Sequence, residues 1–269
     1  MSGRVEGKVA FITGAARGQG RSHAVRLSEE GADIIAVDSL EDYPSVPYPM
    51  ASSDDLAETV ELVEAQGRRI VASRVDVREP ESLGAAVDEG VARLGRLDIV
   101  SANAGICTVQ AWDEVSPEIW KDTLDTNLTG VWNTMVSAVP HLIANGGGSI
   151  IATSSVAGIK GLPFLAPYVA SKHGVVGIAR SLAHELARHR IRVNIVHPTG
   201  VITPMLAGLG GLQLLIDLDP ALGGIFDNSL PVTAIPARDV SEAVLFLASD
   251  DSRYVTGLEF TIDAGATIR

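Results

Sequence analysis

Short, near-continuous runs of Val, Ile and Ala recur along this chain, each followed by a stretch with helical spacing of its apolar residues, almost from end to end. That alternation constrains the fold more than any other feature. The strand-like runs cover 8–13, 33–38, 70–76, 97–102, 149–154, 191–197 and 258–263. Few of them alternate polar with apolar residues, so they read as strands covered on both faces. Helices are expected over 18–30, 53–66, 80–94, 117–144, 168–189 and 237–248. A strand–helix alternation of this kind builds an α/β fold: a doubly wound parallel sheet of about seven strands, with right-handed crossovers and helices on both faces.

No linker or change of composition divides the 269 residues, so one domain spanning 1–269 is expected. A net charge of −12 argues against a phosphate-tracking surface, and so against nucleic acid as a partner. No apolar run reaches the ~20 residues of a membrane span, and the amino terminus carries no signal-peptide pattern. The single cysteine, Cys107, excludes an internal disulfide framework and fits a reducing compartment. A soluble cytoplasmic protein is therefore expected. Cys107 itself reads as a small apolar filler that can border the active site. No metal-ligand set is read in the chain.

Two segments break the rhythm. Residues 39–52 follow the second strand and carry Pro44, Pro47 and Pro49 with Tyr43 and Tyr48. This is long for a connection in a compact domain. Residues 203–230 are dense in Leu and Gly, which suits either a lid over an apolar substrate or a helix pair packed at a subunit interface.

Gly14, Gly18 and Gly20 follow the first strand and open the first helix. Glycines in that context let backbone approach a pyrophosphate at a helix N-terminus, which makes the sheet Rossmann-type. Their G-x-x-x-G-x-G spacing differs from the G-x-G-x-x-G fingerprint. Asp38 ends the second strand, where a carboxylate accepts hydrogen bonds from an adenosine ribose and repels a 2′-phosphate, favouring NAD over NADP. Arg17 and Arg21 act the other way, because a nearby cation attracts such a phosphate. Asp76, with Val77, ends the third strand and reads either as a contact to adenine or as a cap for the helix from Pro80.

Tyr168 and Lys172 lie four residues apart on one expected helix, hence on one face, with Ser155 upstream. A phenol with pKa near ~10 is a poor base at neutral pH. A neighbouring ammonium favours the phenolate and makes the hydroxyl usable for proton transfer.

These pieces together resemble the short-chain dehydrogenase/reductase family over essentially the whole chain: Thr13 to Gly20, Asn103-Ala104-Gly105, Asn127, Ser155, Tyr168-x-x-x-Lys172, and Pro198 through Thr203. The run from Thr13 to His23, the loop 39–52 after Asp38, and the stretch Val196 to Met205 are most similar to its mycofactocin-associated, carveol-dehydrogenase-like branch. One departure is Pro198-Thr199-Gly200, where many relatives have Pro-Gly. The resemblance implies that Tyr168 is the acid/base, that Ser155 binds the substrate oxygen, and that Lys172 lowers the tyrosine pKa and binds nicotinamide ribose. It implies that Asn127 holds a water linking Lys172 to solvent; the residue-level alternative is an asparagine that bends its helix. It further implies NAD contacts from Gly14, Arg17, Gly18, Gln19, Gly20, Asp38, Ser39, Asp76, Val77, Asn103, Ala104, Gly105, Thr153, Pro198, Gly200, Val201, Thr203 and Met205. His23 and His197 read as structural.

The function so implied is oxidation of a secondary alcohol to a ketone on an apolar, terpenoid-like skeleton, in a homotetramer. In that branch NAD stays bound and mycofactocin, a redox peptide, accepts the electrons. The loop 39–52, placed beside the adenosine and far from Tyr168, is expected to slow NAD release; the alternative is a surface loop without effect. An ordinary reductase with exchanging NAD(P)H on a sugar, steroid or acyl thioester is the runner-up. A non-catalytic NAD-binding redox sensor is the reading of another class, and it leaves the Ser155, Tyr168 and Lys172 set without a purpose.

Overall fold

The computed structural model describes residues 3–269 and holds one parallel sheet of seven strands. They are β1 (Val9–Thr13), β2 (Asp33–Asp38), β3 (Ile70–Arg74), β4 (Ile99–Ala102), β5 (Gly148–Thr153), β6 (Ile191–Pro198) and β7 (Glu259–Ile262), in the order β3-β2-β1-β4-β5-β6-β7. The order reverses between β1 and β4, which opens a crevice at their carboxyl ends.

Nine α-helices flank the sheet among the described residues: α1 (Gly18–Glu29), α2 (Ser53–Glu64), α3 (Pro80–Leu94), α4 (Pro117–Leu124), α5 (Gly130–Ala144), α6 (Ala166–Leu186), α7 (Pro204–Gly208), α8 (Gly211–Leu218) and α9 (Ala237–Ala248). Side chains alternate across the sheet. Phe11, Val37 and Ile150 join Leu83, Met135 and Val175 of α3, α5 and α6 on one face. Ile12, Ala36 and Ile151 join Leu27, Val63 and Val244 of α1, α2 and α9 on the other. Burial on both faces explains why the strands read as continuous apolar runs. No helix among the described residues is long and apolar enough to cross a membrane.

The structure corrects one boundary and adds detail to two segments. The third strand stops at Arg74, short of Asp76. The expected helix over 117–144 runs its full length, with a π turn, Asp125–Thr129, between α4 and α5. Such turns insert a residue into a helix and are frequent at functional sites. The segment 203–230 carries α7, α8 and the 3₁₀ turn Pro220–Phe226.

Candidate active site

The turn after β1 is where backbone comes closest to backbone. Gly14 has φ +66°, and a Cβ there would lie 2.9 Å from the Ala104 Cα. A Cβ on Gly20 would lie 2.0 Å from the Gly14 carbonyl oxygen, so α1 can start against the turn only with glycine there. Asn103 locks the β4 end to β1, its Nδ2 donating to the Thr13 carbonyl at 3.1 Å.

A cleft opens over this turn. Of the residues implied for NAD, it is lined by Gly14, Arg17, Gly18, Gln19, Asp38, Ser39, Asp76, Val77, Asn103, Ala104, Gly105, Thr203 and Met205. Gly20, Thr153, Pro198, Gly200 and Val201 do not line it. Ser155, Tyr168, Lys172 and Asn127 form a second group beyond Gly105. A Cβ on Gly105 would lie 3.2 Å from Asn127 Oδ1 and 3.6 Å from Lys172 Nζ, so this glycine joins the two groups. Gln19 Oε1 and Thr153 Oγ1 are buried and unpartnered among the described residues, as groups awaiting a bound ligand would be. The glycine cradle and these two acceptors fit a dinucleotide.

Asp38 is buried, and its Oδ2 accepts from the Ala16 amide at 3.0 Å. Burial raises its pKa, while the amides of Ala16, Leu40 and Ser39 and the Arg17 charge oppose the rise. Neither arginine is free to greet a phosphate, contrary to the sequence reading. Arg17 donates to the carbonyls of Pro49 and Met50 at 2.7 and 3.2 Å. Arg21 bonds Ala16 O and Thr59 Oγ1 and pairs with Glu58. Asp76 is not the cap of α3, whose N-cap position is Glu79; its carboxylate instead takes the Arg78 amide at 2.8 Å and the Arg78 guanidinium at 2.6 Å.

α6 presents Tyr168 and Lys172 side by side, with the Lys172 Nζ 5.5 Å from the Tyr168 ring centroid. Lys172 donates to the Thr153 carbonyl at 2.8 Å. Burial pulls its pKa down to about 8, and the Cys107 thiol pulls it partly back up. The expected lowering of the Tyr168 pKa by Lys172 is not what this structure gives. Burial pushes the phenol above its ordinary value, Cys107 and Tyr48 add to the rise, and the Ser155 hydroxyl offsets part of it. Desolvation wins because a phenol is neutral without its partners and an anion only at a cost. Cys107 is buried with its thiol pushed up to about 12 by that burial, so it both fills and borders the site.

Asn127 sits in the π turn with both amide hydrogens and one oxygen lone pair engaged. Oδ1 accepts from the Ile106 amide at 2.8 Å; Nδ2 donates to the Ile106 carbonyl at 2.8 Å and to Ser171 Oγ at 3.2 Å. The side chain keys the β4 exit to α6, and the second lone pair of Oδ1 is left for a water.

The largest surprise is the loop 39–52. Tyr43, Val46 and Tyr48 form an apolar cluster with Ile106, against which Met50, Met205 and Leu209 pack. The Tyr48 hydroxyl accepts from the Cys107 amide at 3.1 Å. The loop thus reaches from Asp38 to the neighbourhood of Tyr168, not only the adenosine end. It also touches α7: a Cβ on Gly208 would lie 2.4 Å from the Tyr48 ring. Tyr48 and His197, whose Nδ1 contacts the Ser155 carbonyl, are the residues that sequence reasoning missed. Two tyrosines between prolines in a loop were the available signal for the first.

The short chain dehydrogenase family profile matches residues 8–211. A (−)-trans-carveol dehydrogenase from Rhodococcus erythropolis is 50% identical over 275 residues, covering 99% of both chains. A short chain dehydrogenase from Mycobacterium paratuberculosis, solved bound to NAD, superposes with TM-score 0.96 at 52% identity, over 99% of this chain and 100% of that one. A carveol dehydrogenase from Mycobacterium avium, solved in complex with NAD, gives TM-score 0.93 at 49% identity, over 99% and 100% of the chains. A glycine turn at the sheet's switch point, a Tyr168–Lys172 face beside it, and matches along the full length agree: this chain belongs to the short-chain dehydrogenase/reductase family.

Proposed function

We propose that this chain is an NAD-dependent dehydrogenase that interconverts a secondary alcohol and its ketone on an apolar, terpenoid-like skeleton. The observation that carries the reading is the convergence of Ser155, Tyr168 and the buried Lys172 next to a glycine cradle. Gly14, Gly18 and Gln19 would hold the pyrophosphate side, Asp38 the adenosine ribose, and Thr153 and Lys172 the nicotinamide side. Bound NAD supplies the hydride acceptor. Ser155 and Tyr168 bind the substrate hydroxyl. Tyr168 takes its proton in oxidation and returns it to the ketone oxygen in reduction; general acid–base help of this kind is worth ~10²–10⁴-fold. Lys172 holds positive charge behind the phenol while it is an anion. Residues 203–230 act as the lid, with Leu206 and Ile202 offering exposed apolar surface at its base. The carveol dehydrogenases among its relatives support the substrate class.

The finer reading is that NAD stays resident and that mycofactocin reoxidises it in place, in a cytoplasmic homotetramer. The loop packed across the cleft supports slow release. Half-exposed Trp132 and Ile143 on α5 support subunit contacts on that face, and a tetramer by sedimentation at micromolar concentration is the expected result. Mass spectrometry should find NAD co-purifying. A panel of alicyclic alcohols should then turn over with an artificial electron acceptor and not with added NAD alone; steady turnover with free NAD would favour the exchanging reductase.

The raised Tyr168 pKa sets the pH dependence. Oxidation needs the phenolate, and a raised pKa leaves the phenol protonated at neutral pH. Oxidation rates should therefore climb into the alkaline range, while ketone reduction, which needs the protonated phenol, should hold at neutral pH. An oxidation rate that is flat from neutral to alkaline pH would count against Tyr168 as the base.

Asp38→Ala should weaken NAD binding by roughly ten- to a hundredfold, the cost of losing hydrogen bonds to a charged group. Because Arg17 and Arg21 are already engaged, NADP should not reach the affinity the wild type has for NAD. Calorimetry on cofactor-stripped protein reads both numbers.

A further inference from the structure

His197, on β6, is fully buried directly behind Ser155, with its Nδ1 2.8 Å from the Ser155 carbonyl oxygen. A carbonyl only accepts, so Nδ1 carries the hydrogen. The opposite nitrogen, Nε2, has no hydrogen-bond partner among the described residues and faces a Glu259 carboxylate oxygen at 3.4 Å. Glu259, at the start of β7, pairs in turn with Arg180 of α6.

We propose that His197 is a positioning residue for the reaction: it holds the Ser155 peptide from behind and so fixes the Ser155 hydroxyl against Tyr168. The need for such a support follows from where Ser155 sits. β5 ends at Thr153, and the Ser154 amide makes its bond to the Val196 carbonyl at 2.9 Å. Ser155 itself is extended, with φ −173° and ψ 168°, and leads into the 3₁₀ turn Val156–Gly158. Its hydroxyl accepts from the Ala157 amide at 3.2 Å, the long end of the ordinary range, and lies 3.5 Å from the Pro198 carbonyl. The Ser155 carbonyl oxygen takes two short bonds, from the Gly158 amide at 2.8 Å within the turn and from the His197 imidazole at 2.8 Å, and the imidazole ties the turn to β6. A misplacement of about 1 Å at a reacting centre costs about a hundredfold in rate.

Burial favours the neutral form of the ring by lowering the His197 pKa; the bond to the Ser155 carbonyl and the Glu259 carboxylate from β7 oppose it, and Lys172 and Arg180 from α6 add to the lowering. A neutral ring with the hydrogen on Nδ1 keeps the Ser155 bond and leaves Nε2 bare toward Glu259.

The inference rests on the assignment of Ser155 and Tyr168 above, and the experiments separate the two. Nitrogen-15 NMR of histidine-labelled wild-type protein should show His197 protonated at Nδ1 and bare at Nε2; the opposite tautomer overturns the proposal. His197→Asn, whose amide can donate from about the place of Nδ1, should keep kcat within about threefold. His197→Phe keeps ring volume without the donor. It should lower kcat by about ten- to a hundredfold, with KM near that of the Asn variant. Its alkaline limb should also move to higher pH, because a displaced Ser155 no longer stabilises the phenolate. Equal kcat in the two variants overturns the role. If the Phe variant fails to fold, the tautomer and the Asn variant's pH profile decide. A Ser155→Ala protein with unimpaired turnover would instead overturn the assignment of Ser155. A dead Ser155→Ala protein beside a fully active His197→Phe protein overturns only the role of His197.

Discussion

Tyr168→Phe is expected to lower kcat by at least about a hundredfold while leaving NAD affinity close to that of the wild type. The substitution removes one hydroxyl and keeps the ring that packs 5.5 Å from the Lys172 ammonium. The helix around it should not move, because Ser171 bonds the Tyr168 carbonyl at 2.7 Å and receives the Asn127 amide at 3.2 Å. The cleft that would hold the pyrophosphate is lined by other residues altogether. Single-turnover reduction of resident NAD by an alcohol, followed at the nicotinamide band, measures the first quantity, and calorimetry the second. Retention of a tenth of the wild-type kcat would end the assignment of Tyr168 as acid/base.

Shortening residues 39–52 to a tight turn is expected to speed NAD dissociation by about a hundredfold or more. Tyr43, Val46 and Tyr48 are each buried, and burial of a large apolar side chain is worth about 1.5–3 kcal/mol. Together they close the loop over the cleft with more than the roughly 2.7 kcal/mol that a hundredfold change represents. The prolines at 44, 47 and 49 reduce the entropy lost on ordering the segment. Because Tyr48 also packs beneath Gly208, the shortened protein should bind apolar alcohols more weakly, so KM for the alcohol should rise alongside the release rate. Stopped-flow dissociation rates that match in the two proteins would show that the loop does not retain the cofactor.

How much of this was legible in the sequence depends on how local each feature is. The sheet was legible because double-sided burial writes itself into every strand, and the glycine turn because only glycine lets α1 approach β1 so closely. The π turn within the helix over 117–144 was hidden because it adds one residue without disturbing the apolar periodicity on either side. The raised Tyr168 pKa was hidden because spacing reveals the nearby lysine and not the desolvation that outweighs it. Asp76 looked like a cap because its position before Pro80 was visible and the Arg78 fork around it was not. The reach of Tyr48 and the bond from His197 depend on where distant segments meet, which no local pattern encodes.

The tether made by Arg17 carries an evolutionary consequence. The guanidinium best placed to welcome a 2′-phosphate is spent on the carbonyls of Pro49 and Met50, where it fastens the end of the inserted segment. A lineage drifting toward NADP would have to recruit that arginine and so unfasten the segment, or recruit a new cation elsewhere. Cofactor identity and the insertion are thus expected to be inherited together, and homologues that lost the insertion are the ones free to diversify at Asp38.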